Sequence, residues 1–75
     1  MNSFMNALWS DGVGKWVTGK YLDIPFEAKI QNVRAKYGND ISVEVRTTDM
    51  NTYVINGSVL QNGSGGVYTN LHVYF

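Results

Sequence analysis

Few residues in this chain can do covalent chemistry, and their spacing narrows what they do. There is one histidine and no cysteine. Nucleophilic catalysis of the triad kind needs a nucleophile, a base and an orienting group. His72 and the serines at 3, 10, 42, 58 and 64 supply the types, but none of these serines sits in a recognisable strained turn, so His72 reads as an outward strand residue. Paired-carboxylate chemistry needs two acids about 5–10 Å apart across a cleft. Asp23 and Glu27 flank Pro25, but a small filled barrel offers no cleft, so they read as solvated acids. Gly12-Val13-Gly14-Lys15 invites comparison with a phosphate-binding loop, and the comparison fails. Trp9 stands at the first glycine position, Trp16 replaces the magnesium-binding hydroxyl, and a strand follows instead of a helix. No Cys/His cluster and no calcium loop of alternating carboxylates is present. The expectation is a non-enzymatic protein with no metal and no cofactor.

What remains is binding. Unbroken alternation puts Tyr68, His72 and Tyr74 on the outer face of the last strand, and outward tyrosines offer rigid area with a polar tip. That strip is the first candidate surface. Lys29, Arg34, Lys36 and Arg46 project from the second and third strands. Basic side chains beside stacking aromatics on one sheet face are the equipment of single-strand nucleic-acid binders, but whether the two sets adjoin depends on how the sheet closes. Six basic residues balance six acidic ones, so no net field draws a polyanion. A protein partner or a second copy is therefore the first expectation and nucleic acid the alternative. The apolar cluster Phe4, Met5, Leu8 and Trp9 is a second surface.

The elements that position these residues follow from periodicity. Seventy-five residues make one domain, here over residues 1–75, near the lower size limit for independent folding. Ser3 caps a short helix over residues 4–9, within an N-terminal segment of residues 1–12, and the sheet occupies residues 15–75. Residues 15–22 alternate as the first strand, with Val17, Gly19 and Tyr21 on one face, Thr18 and Lys20 on the other, and Trp16 at an edge. Asp23-Ile24-Pro25 connects to the second strand, which begins at Pro25. There Phe26, Ala28 and Ile30 are out of phase by one residue with Val33, Ala35 and Tyr37, which requires a β-bulge near Gln31-Asn32. The third strand has Ile41, Val43 and Val45 in phase. A three-residue loop, Gly38-Asn39-Asp40, then sets Tyr37 opposite Ile41, Arg34 opposite Glu44 and Lys36 opposite Ser42. Residues 52–60 read as one continuous strand distorted at Gly57, in preference to a tight Asn56-Gly57 hairpin with very short arms. A glycine-rich loop leads to the last strand, residues 67–75, paired with the first strand or with a neighbouring molecule. Asn56-Gly57-Ser58 and Asn62-Gly63-Ser64 match the glycosylation acceptor pattern but read as turns. The fold class is all-β: a five-stranded antiparallel barrel or curled sheet of SH3-like or OB-like type with a short N-terminal helix.

Gly19, Tyr21, Pro25 and Phe26, followed by the alternating residues through Val33, form a Gly-x-Tyr-x-x-x-Pro-Phe stretch. It resembles the opening of small β-rich proteins encoded by bacteriophages. The resemblance implies a phage protein that acts by binding, masking a host or defence protein or sequestering a small signalling molecule, and it carries no catalytic residue across. With neither a signal peptide nor an apolar run of membrane length, the expected location is the cytoplasm of a bacterial host cell, away from membranes and as a homo-oligomer. A pocket for a small molecule would lie between subunits.

Overall fold

The structure, a computed structural model, describes residues 2–75; Met1 lies outside the described residues. The elements run α1 (Ser3–Asp11), β1 (Trp16–Tyr21), β2 (Ile24–Ala35), β3 (Ile41–Thr47), β4 (Thr52–Asn56), α2 (Gly57–Asn62) and β5 (Tyr68–Tyr74). All five strands form one antiparallel sheet in the order β4-β3-β2-β1-β5. The last strand pairs with the first, one of the two expected partners. Of the two closures open to the sequence, the sheet takes the curled one, because the edge strands β4 and β5 do not pair. The curl is steep. Tyr21 on β1 stacks on Tyr53 on β4 with ring centroids 4.7 Å apart, although three interstrand steps span about 14 Å in a flat sheet. Tyr53 also reaches Tyr68 on β5 at 6.2 Å, so rings bridge a gap that backbone hydrogen bonds leave open.

The bulge expected in β2 is present: Ile30 pairs with Val45 and Asn32 with Glu44, leaving Gln31 as the extra residue. It keeps Ile30 and Val33 on the core side and bends the strand. Val17, Ile30, Ile41, Val43, Val45 and Ile55 line the concave face, with Met5 and Leu8 of α1 and Leu60 of α2 packed over them.

Several local features differ from the sequence reading. Helix α1 is capped by Asn2, whose side chain accepts from Met5 N–H at 2.9 Å, one residue before Ser3. Its buried pair is Met5 and Leu8, so Trp9 is exposed and Phe4 meets Phe75 edge-on. The connection from β1 to β2 is the two-residue turn Leu22-Asp23, both with positive φ, which is the type I′ signature usually met by Asn-Gly. Strand β2 thus starts at Ile24, and Pro25 pairs with Lys20 beyond the end of β3, where its missing N–H leaves no ladder bond unmade. Trp16 lies on an interior strand, not at an edge.

The β2–β3 register is two residues away from the expected one. Ala35 faces Ile41, Val33 faces Val43, and Arg34 faces Ser42, not Glu44. A slip of two preserves every face, so alternation alone does not separate the two registers. The choice falls to Asp40, which accepts from Ile41 N–H at 2.8 Å, Ser58 N–H at 3.1 Å and the Ser58 hydroxyl at 3.2 Å, tying a five-residue loop to α2. Residues 57–62 form α2 instead of extending β4. At Gly57 a Cβ would lie 2.6 Å from Ile41 Cγ1 and 2.8 Å from Met5 Sδ, so glycine lets the chain turn down onto α1 and the core.

Candidate functional site

The proposed Tyr68, His72, Tyr74 strip is divided between two faces. Thr18 pairs with His72 but Lys20 pairs with Thr69, so Gly19 faces two residues and Asn70, at φ 53°, is the extra one. Gly19 permits this, since a Cβ there would lie 2.6 Å from Leu71 Cδ2. The bulge sends Tyr68 to the concave side opposite Tyr21, while His72 and Tyr74 stay outside. Alternation assumed an unbroken strand, and one left-handed asparagine breaks it.

The convex face gains what the strip loses. Register places Thr52, Arg46, Lys29, Trp16 and Tyr74 in one row across all five strands. The next row carries Glu27, Thr18 and His72, and the one after it Pro25, Lys20 and Thr69. Lys29 Nζ sits 4.9 Å from the Trp16 ring centre, a cation–π contact. His72 and Tyr74 meet edge-to-face at 4.3 Å, and the Thr18 hydroxyl donates to the Tyr74 oxygen at 3.1 Å. Lys29 and Arg46 are therefore brought beside the outward aromatics. Arg34 lies further along β2 beside Ser42 and Val54. Lys36 does not join them: it is in the β2–β3 loop and donates to Asn56 Oδ1 at 2.9 Å. Trp16 and Lys20 were outside the expected site, although their alternation with Val17 already put them on this face.

Charge is unevenly distributed over this neutral chain. Lys20, Lys29, Arg34 and Arg46 project from the convex face against Glu27 and Glu44, whereas Asp11, Asp23, Asp40 and Asp49 sit at the helix end and in turns. Lys15 pairs with Asp11 at 3.4 Å. The convex face is thus locally positive.

The concave face ends in a second aromatic group. Tyr21 touches Tyr53 and Tyr68, and Phe26 meets Tyr53 edge-on at 5.5 Å. Burial first, then the neighbouring Tyr21 and Tyr53, pushes the Tyr68 phenol above its usual pKa of 10.0. An open cleft of about 730 Å³ runs beside Tyr21, Phe26 and Tyr53, between the β1–β2 and β3–β4 turns. The N-terminal apolar cluster is split, with Met5 and Leu8 in the core and Trp9 on the surface.

Among the described residues no cluster of three or more His, Asp or Glu is arranged to hold a metal ion, and no helix is long and apolar enough to cross a membrane. No protein-family model, no curated protein and no solved structure matches this chain.

Proposed function

We propose that this is a non-enzymatic binding protein that takes single-stranded nucleic acid on the convex face of its sheet, working as a homo-oligomer. The observation that carries this is the cross-strand row in which Arg46 and Lys29 run directly into Trp16 and Tyr74. Bases stack on Trp16, Tyr74 and His72, while Lys20, Lys29 and Arg46 meet phosphates. Self-association is supported by the free edge of β4, where Val54 is exposed and the outward backbone groups have no partner strand.

A phage protein that masks a host protein is the second reading, favoured by the apolar area that Trp16, Val54 and Tyr74 expose on the same face. Fluorescence anisotropy with labelled oligo(dT) and oligo(U) of about 12 nucleotides separates the two. Nucleic-acid binding gives saturable anisotropy that weakens steeply with salt. No oligonucleotide binding, together with a host protein retained through high salt, overturns the nucleic-acid reading in favour of the protein partner.

A further inference from the structure

Among the described residues, four other than glycine have positive φ: Leu22, Asp23, Met50 and Asn70. All four lie within two residues of the aromatic group or of the cleft lining. Leu22 and Asp23 lie between the lining residues Tyr21 and Ile24, and Met50 lies between Asp49 and Asn51. Asn70 is the bulge residue that delivers Tyr68 to the aromatic group. Asp and Asn tolerate the left-handed region, but leucine and methionine do so only when their surroundings hold them there. Backbone held in such conformations gathers at ligand sites.

The chemistry of the lining points to one ligand class. Tyr21, Phe26 and Tyr53 supply ring surface and Asp49 supplies a carboxylate, with no lysine, arginine or histidine in the lining. Asp49 is fixed in place: one oxygen accepts from the Thr47 hydroxyl and the other from Asn51 Nδ2 at 3.3 Å. Aromatic faces beside carboxylates attract a cation with an apolar coat and repel an anion. The volume is that of a small-molecule site.

We infer that this cleft binds a small quaternary or methylated ammonium compound, held by cation–π contact with Tyr21, Phe26 and Tyr53 and by the negative charge of Asp49. The three rings of the site lie on the side of the sheet opposite the row of Arg46, Lys29, Trp16 and Tyr74.

The test is an NMR titration of the isotopically labelled full chain with choline and, separately, with 3,3-dimethylbutan-1-ol, which replaces the ammonium nitrogen by carbon. Choline shifts the ring resonances of Tyr21, Phe26 and Tyr53 saturably, and the neutral analogue binds at least about fivefold more weakly. Asp49→Asn weakens choline by a few-fold while leaving the analogue unchanged. Equal affinities for the two compounds, or no saturable shift with choline, overturn the proposal. Because the compounds are compared on the unmutated protein, a variant that fails to fold does not blur the result.

Discussion

The sheet carries two aromatic groups that differ in how they are built and in what surrounds them. On the convex face Trp16, His72 and Tyr74 stand in regular register among lysine and arginine, and Trp16 and Tyr74 are about half exposed. At the concave end Tyr21, Phe26, Tyr53 and Tyr68 are half-buried ring against ring, assembled by a bulge and two left-handed turns and bordered by Asp49. Regular pairing displays rings to a partner, whereas irregular backbone turns them on one another. The first group is open to a large partner, and the second closes the curl and leaves only the faces that border the cleft accessible.

Tyr68→Ala attacks this division most directly. It strips the concave group of the ring that the Asn70 bulge delivers opposite Tyr21. A destabilisation of about 2–4 kcal/mol in urea unfolding is expected. Tyr53→Ala, which removes the ring shared by Tyr21, Phe26 and Tyr68, is expected to lower stability by about 2 kcal/mol and to leave oligonucleotide affinity unchanged. Trp16→Ala should do the reverse, weakening oligonucleotide binding by about 1–3 kcal/mol with little change in the midpoint of unfolding. Equal effects of the two substitutions on both readouts would erase the distinction.

How far each group was legible follows from its construction. The bulge at Gln31 could be read because apolar residues on both sides of it changed phase. The bulge at Asn70 could not, because Thr69 and Asn70 are polar and Val67 happens to continue the phase of Leu71. The five strands and their antiparallel pairing were visible in alternation; the β2–β3 register was not, since a shift by two leaves alternation intact. Helix α2 was hidden because Val59 and Leu60 suit a strand or a helix, and what decides is the space at Gly57, a tertiary fact. Lys29 and Arg46 were recognised by type, but their adjacency to Trp16 and Tyr74 needed the strand order.

The loop that sets the register can be tested by pH. Burial on its own would raise the Asp40 carboxyl, but hydrogen bonds from Ile41 N–H and from Ser58 N–H and hydroxyl, with the Lys36 charge, outweigh it and hold the pKa below 3.8. The stabilisation is therefore complete above the unfolded value near pH 4 and is lost as pH falls through the lower folded value. Asp40→Asn is expected to remove about 0.5–1 kcal/mol at neutral pH, reduced by solvent exposure. The same substitution should flatten the acid limb of the stability curve. A smaller effect of opposite sign is expected from Leu22→Asn with Asp23→Gly, the residues a type I′ turn favours, which should raise stability by about 0.5 kcal/mol with the convex face unaffected.

The central claim is that the convex row grips phosphates with cations while rings stack on bases, and the salt dependence of oligonucleotide binding tests it most directly. With Lys20, Lys29 and Arg46 each meeting a phosphate, log K is predicted to fall against log salt with a slope of roughly −2, and Lys29→Ala should make the slope shallower by about 0.7. A flat dependence, or a slope that Lys29→Ala leaves unchanged, would contradict the assignment of this face.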